Sequence, residues 1–259
     1  MPLLNNPLTG SILKRYPQGS IMQGYKENVS LYMQAMNMAG HNGIDLFRPQ
    51  PNDVVAATDG VVTVSSNDPK GYGKRVDVLS PKMADGYYYQ TIYGHFDEIS
   101  VVFGQEVKAG DKLGVEGNTG FVISGGTAYW GTAPGNKGVH LHFGVKRLTD
   151  DLSASGLQVD IQVVGKIKKF VLLDYNNGVY GAIDPLPLLT DEVTPMLLKG
   201  KGGLVRNIKT GAYGTNLGDI ILDAGTERTA LQALDILSRL GHCVQLSDEE
   251  WNSVPHKDF

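Results

Sequence analysis

Residues 139–143 read Val-His-Leu-His-Phe, two histidines spaced two apart among strongly strand-forming neighbours. A strand turns successive side chains to opposite faces, so His140 and His142 share one face while Leu141 takes the other, toward a core. Two imidazoles on one face can hold a metal ion or move protons near neutral pH. What decides between those uses lies in the remaining histidines and in the texture of the chain around them.

The same β texture extends outward in both directions. Residues 54–66, 74–80, 87–96, 99–103, 111–117 and 139–145 are short β-branched or aromatic runs. Turn signals separate them at Pro69 with Gly71 and Gly73, at Asp85-Gly86, at Ala109-Gly110 and at Asn118-Thr119-Gly120. Many short strands at close spacing predict a mainly β fold, an antiparallel β-sandwich or barrel-like domain over residues 26–190, behind an extended lead-in at 1–25. One or two helical turns are expected within 26–38, ended by Gly40. Residues 121–138 read as a Gly/Thr/Pro-rich loop, and 168–185 as a hairpin turning at Asn177-Gly178. After Thr190 the texture changes. A glycine-rich joint at 199–203, a helical apolar stripe over 227–240 and a capping box from Ser247 to Glu250 predict a small α/β module over residues 196–259.

Composition narrows the function classes. Of 259 residues, 41% are hydrophobic and 19% charged, the balance of a globular chain with a real core. A net charge of −4 provides no electrostatic footprint for nucleic acid or for an anionic membrane. The single cysteine, Cys243, excludes an internal disulfide framework and a thiolate zinc cluster. Any metal must be held by His, Asp or Glu. The stretch at 1–20 has no apolar run of signal-peptide length, so the expected route to any extracellular target is release by lysis or carriage on a particle, rather than general secretion.

His41 and Asp45 form an HxxxD pair inside Gly-His-Asn-Gly-Ile-Asp (40–45). On a straight strand they would lie about 13 Å apart, too far to bind one ion. A bend at Asn42-Gly43 that folds His41 back beside Asp45 is the expected geometry. His95 ends the run 87–95, whose period of two places Tyr89, Thr91, Tyr93 and His95 on one face. A catalytic zinc takes three protein ligands and keeps one position open. His41, Asp45 and one histidine of the 140/142 pair supply such a set, leaving the other and His95 for proton handling.

The motifs GHNGIDL, YGHF, VKAGDKLGVEGNTG and VHLHFGV follow one another in the order and wording of the lysostaphin/LytM-type zinc metallopeptidases, and the chain resembles that family from about residue 20 to 188. VVAATDGVV, GYGKRVDV and the closing IDPLPLL take part in the likeness. The resemblance implies a peptidoglycan endopeptidase fold in which His41, Asp45 and His142 bind Zn2+, with His140 and His95 as the catalytic histidines. Candidate substrate contacts are Tyr93 and Asn118, with Tyr129 and Trp130 from the 121–138 segment. That segment departs from the family pattern, which passes from GNTG to HLHF in a few residues. Tyr25 and Tyr32 are candidates for an upstream oxyanion-stabilising tyrosine, with no alignment to favour either.

Two rival readings carry different predictions. A catalytically silent relative, acting as a regulator or a structural virion component, would lose ligands, whereas this chain keeps all five polar residues. A biotinyl or lipoyl carrier would need a modifiable lysine at a hairpin tip, which VKAGDKLGVEGN does not offer. The expected partner is bacterial peptidoglycan, with 196–259 docking to a virion or the cell wall, and the expected place of action is the bacterial wall. His242 and His256 fall in that module and read as surface histidines.

Overall fold

The computed structural model describes residues 4–8, 21–48 and 52–190, and five short strands at 203–207, 213–216, 221–223, 243–246 and 256–258. The chain divides into two compact units, Met1–Asp191 and Glu192–Phe259. The first is dominated by antiparallel pairing, and the described residues of the second are all in strands.

Seven strands frame the site in the first unit: β1 (Ile44–Leu46), β2 (Gly60–Asp68), β3 (Gly73–Leu79), β4 (Tyr88–Phe96), β5 (Leu141–Thr149), β6 (Leu157–Val163) and β7 (Lys166–Leu172). They belong to a ten-stranded sheet that runs β6-β7-β5-β4-β3-β2 and ends on Glu106–Val107. β5 is its centre. One edge of β5 pairs with β4 from His142 opposite Gly94 to Leu148 opposite Tyr88. The other edge takes β1, with His142 opposite Asp45, then Ala182–Ile183, then β7.

The period of two divides β5 as its sequence demands. Leu141, Phe143 and Val145 are buried in a core that also holds Ile44, Leu46, Val76, Val78, Tyr93 and Phe96 from neighbouring strands. A second, three-stranded sheet of Asp53–Val55, Lys112–Val115 and Glu98–Ile99 contributes Val54 and Leu113 to that core. Each fully buried Phe or Leu is worth about 1.5–3 kcal/mol of burial. Because the odd-numbered side chains are committed inward, the even-numbered ones, His142, Gly144 and Lys146, face away from this core.

Several local expectations need correction. The lead-in is not separate: Leu4, Leu8 and Ile21 are core residues, and Leu4–Asn5 pairs in parallel with Leu189–Thr190. The run 54–66 is two strands in different sheets, broken at Ala56 to Asp59. Of 99–103 only Ile99 is in a strand, and Val102 and Phe103 are exposed. The hairpin expected at Asn177-Gly178 does not form. β7 turns back through Val164-Gly165 onto β6 instead, a pairing the reading passed over. Asn177 Oδ1 accepts N–H groups from Val179 and Gly181, which closes a local turn rather than a hairpin. The helix spans Val29–Met36 and ends at Asn37 in the left-handed region (φ 53), before Gly40 is reached.

The segment 121–138 carries structure of its own. Val122–Ser124 pairs with Thr127–Tyr129 around Gly125-Gly126, both at positive φ, as a two-residue hairpin turn requires. In the second unit the described strands form one five-stranded sheet, ordered Cys243–Leu246, Gly203–Asn207, Tyr213–Asn216, Ile221–Asp223, His256–Asp258, with parallel outer pairs. The helices expected at 227–240 and after Ser247 lie outside the described residues. Among the described residues no helix is long and apolar enough to cross a membrane.

Candidate metal centre

Four histidines and one aspartate meet where β1 and β4 flank the start of β5. The chain bends at Asn42-Gly43, which brings His41 Nε2 to 3.1 Å from Asp45 Oδ1. The register that sets His142 opposite Asp45 brings His142 Nδ1 to 3.3 Å from the same oxygen. His41 Nε2 and His142 Nδ1 are 2.9 Å apart. Glycine is required at 43, because a Cβ there would run into the Phe143 carbonyl and the His142 ring.

The tautomers follow from the backbone. A carbonyl oxygen only accepts, so the ring nitrogen facing it carries the proton. Nδ1–H of His41 donates to Gly24 O (3.3 Å), Nδ1–H of His95 to Thr119 O (2.7 Å) and Nδ1–H of His140 to Gly138 O (2.7 Å). Each then has a lone pair at Nε2, and that of His140 stands 3.6 Å from Asp45 Oδ1. His142 presents Nδ1 instead. Fixing a ligand's tautomer through its other nitrogen is what the surroundings of a metal site do.

The electrostatics agree. Burial alone would raise the Asp45 carboxyl, but His41 and His140, with the ring nitrogens of His142 and His41, hold it well below the usual carboxylate range. Burial lowers His142 to about 4, against the opposing pull of Asp45. Burial, then the charges of His140 and His142, push His95 well down. Asp45 is therefore an anionic carboxylate, and His142 and His95 are neutral imidazoles with lone pairs to offer.

One atom shows what the cluster is built for. Asp45 Oδ1 is buried and, among the described residues, receives no well-aligned hydrogen bond although three ring nitrogens surround it. Lone pairs turned on one another at 2.9–3.3 Å repel unless a cation lies among them. A tetrahedral zinc with bonds of about 2.0–2.1 Å sets its ligands about 3.3 Å apart. His41, Asp45 and His142 each offer one ligand atom, all within 4.8 Å of one another, and the donor set of two neutral imidazoles and one carboxylate fits that ion.

His95 reaches the cluster by a route the sequence hid. A regular strand would put it on the face of Tyr93, in the core. Instead it sits at φ 65, where β4 spends three steps, Tyr93 to Phe96, against two on β3, Val76 to Lys74. This bulge turns the ring to 4.7 Å from that of His140 and 6.0 Å from that of His142.

The candidate substrate contacts divide. Tyr93 is a correction: it is wholly buried, packs on Phe143 and accepts the Ala57 N–H at 2.7 Å. Asn118 is another. Its amide donates to the carbonyls of Ala133, Gly135 and Lys137, so it pins the 121–138 segment rather than facing a substrate. Trp130 is 55% exposed and stacks on Phe121 at 4.2 Å, while Lys137 lies over the Tyr129 ring.

Among the tyrosines, Tyr32 stacks on His41 at 5.3 Å and its hydroxyl accepts from Gln23. Tyr25 donates to Ala182 O. Sequence reasoning missed Tyr72, whose ring lies 5.1 Å from His142 and whose hydroxyl accepts from Asn42. The signal was the glycine on either side of it in Gly71-Tyr72-Gly73.

Fold and cluster together define a β domain built around a metal-site-like His/Asp centre. Residues 39–160 match the model of peptidase family M23, and the chain carries a domain of that family. Over 113 residues it is 33% identical to the peptidoglycan DD-endopeptidase ShyA of Vibrio cholerae, a stretch covering 44% of this chain and 22% of that protein. Over 81 residues it is 36% identical to the murein hydrolase activator NlpD of Escherichia coli, covering 31% of this chain and 20% of that protein. A solved zinc-containing peptidase from Vibrio cholerae is 26% identical, with a TM-score of 0.33, over 56% of this chain and 35% of that one. The chain thus spans about a fifth of the length of either curated relative.

Proposed function

We propose that this chain is a zinc metalloendopeptidase that hydrolyses peptide bonds of bacterial peptidoglycan, with His41, Asp45 and His142 as the metal ligands. The observation that carries the reading is the convergence of those three ligand atoms with the Nε2 atom of His140 beside them. A bound zinc supplies Lewis acidity toward a water and a scissile carbonyl. The remaining work falls to side chains. His140, with Nδ1–H committed to Gly138 O, can take a proton at Nε2 and pass it to the leaving amine. His95, with Nδ1–H committed to Thr119 O, has only a lone pair at Nε2, which suits it to holding the attacking water by accepting its hydrogen bond. This tautomer does not suit it to donating to an oxyanion.

The similarity to an endopeptidase that acts on peptidoglycan supports that substrate class. The similarity to a murein hydrolase activator supports the alternative of a silent regulator or virion component. The five polar side chains gathered in one cluster favour catalysis. Action at the cell wall, with the second unit docking to wall or virion, belongs to the same proposal. The test is mass analysis of fragments released from purified peptidoglycans of different cross-bridge type by zinc-loaded protein. New amino termini from the intact chain, absent with His140→Ala, are expected; no release from any of them would leave the regulator reading.

A further inference from the structure

The hairpin inside 121–138 turns its apolar side to water. Val122, Ile123 and Ser124 pair with Tyr129, Ala128 and Thr127, and directly opposed residues share a face. Val122 and Tyr129 therefore stand on one side, Ile123 and Ala128 on the other. The first side is covered: Val122 is buried against the chain at Gly138, and Lys137 lies over the Tyr129 ring. The second side is open. Ile123 is 38% exposed, Ala128 is exposed, and the alternation continues to Phe121 and Trp130, whose rings meet at 4.2 Å.

Trp130 is the large group on this open side, and it is held in place. The Phe121 ring, itself buried, backs one face of the indole at an angle of 37° and leaves the other face to solvent. The backbone beneath is tied on both legs. Phe121 N–H donates to Gly71 O at 2.8 Å, Gly131 N–H donates to Pro69 O at 3.2 Å, and Gly120 and Gly131 bond each other. A rigid aromatic plate loses little freedom when a ligand stacks on it. It also stands beside the candidate metal centre. Thr119, two steps back along the ribbon or about 7 Å, bridges Thr132 and accepts from His95 Nδ1.

The chemistry of this face selects its ligand. An exposed apolar surface marks recognition, and Phe121, Ile123, Ala128 and Trp130 bring no charge to it. Peptidoglycan offers charged stem peptides and an uncharged strand of N-acetylated pyranoses. A carboxylate laid on the indole would lose its water and gain no cation, whereas a pyranose presents a flat array of C–H bonds to an aromatic face.

We propose that the Phe121–Trp130 plate binds a sugar ring of the glycan strand. It rests on the peptidoglycan reading above and adds the glycan to the part of the substrate that is recognised.

The probe is a tetramer of N-acetylglucosamine, sugar without peptide, added to the full-length chain. Trp130 is one of two tryptophans, and the emission should shift to the blue and saturate as sugar displaces water from the indole. By calorimetry Trp130→Ala should weaken binding about tenfold or more, and Trp130→Tyr, which keeps an aromatic face, should retain most of it. A cross-linked stem peptide free of sugar should leave the emission unchanged. Absence of sugar binding by the unmodified chain, or equal binding by Trp130→Ala, overturns the plate. An emission shift that survives Trp130→Ala comes from Trp251 and overturns it too, as does a dimer that dissociates in Trp130→Ala, which would give the face to a second copy. Sugar binding without cleavage of any peptidoglycan leaves the plate standing and fails the peptidase reading; cleavage without sugar binding does the reverse.

Discussion

The backbone N–H of His95 donates to the carbonyl of Tyr72 at 2.7 Å. That bond holds the bulge of β4 against the residue just before β3, and so aims the His95 ring at His140. Thr119 secures the same corner. Its carbonyl accepts from His95 Nδ1, and its hydroxyl donates to Phe96 O and accepts the Lys74 N–H. Gly73 and Gly120 let the two segments approach back to back.

Gly73→Ala tests this corner. Gly73 sits at φ 65, and a Cβ there would run into the Thr119 backbone. Left-handed strain of about 1–2 kcal/mol adds to the displacement of Thr119, so urea denaturation should show a loss of at least about 2 kcal/mol. Any residual turnover should fall as His95 loses its anchor. An unchanged midpoint would show that the approach is looser than the geometry states.

Tyr93→Phe separates core from substrate contact. The phenol oxygen accepts the buried Ala57 N–H, and removing it leaves that donor unpaired at a cost of about 1–3 kcal/mol. Thermal unfolding should shift down, while KM for a soluble peptide stays put. A raised KM with unchanged stability would return Tyr93 to the substrate.

The two histidines of β5 and its lead-in should behave differently despite sharing a face. His142→Ala removes one of three convergent donors, and elemental analysis should find zinc lost together with activity. His140→Ala should keep about one zinc per chain while turnover falls by ~10²-fold or more. Metal loss in His140→Ala, with retention in His142→Ala, would exchange their roles.

How much of this was legible beforehand follows from which rules are local. Alternation placed Leu141 in the core and both histidines opposite it, and Asn42-Gly43 marked the bend that joins His41 to Asp45. The position of His95 was not legible, because strict alternation continues through any residue that sequence gives no reason to bulge. Its left-handed backbone is imposed by Tyr72 and Thr119, distant in the chain. Tyr93 was misplaced by the same rule, since the face it shares with Tyr89 is the core. The Asn177-Gly178 signal described a real turn but not its partners, because β7 had a nearer strand to pair with. The tautomers could not be read at all, as they depend on carbonyls brought up by the fold.

Asn118 yields the last prediction. Its side-chain amide donates to three carbonyls, of Ala133, Gly135 and Lys137, more acceptors than its two hydrogens satisfy singly, so at least one bond is shared. The segment it gathers carries Trp130 and returns the chain to His140, whose N–H in turn donates to Gly117 O. Asn118→Ala should therefore release 121–138 without opening the core: hydrogen exchange should quicken across that segment and limited proteolysis should cut within it, while Tyr93 and its neighbours stay protected. Because Gly138 O fixes the His140 tautomer, turnover should fall with zinc content unchanged. Uniform loss of protection across β3 to β5 would mean that Asn118 holds the domain together and not only the segment beside the site.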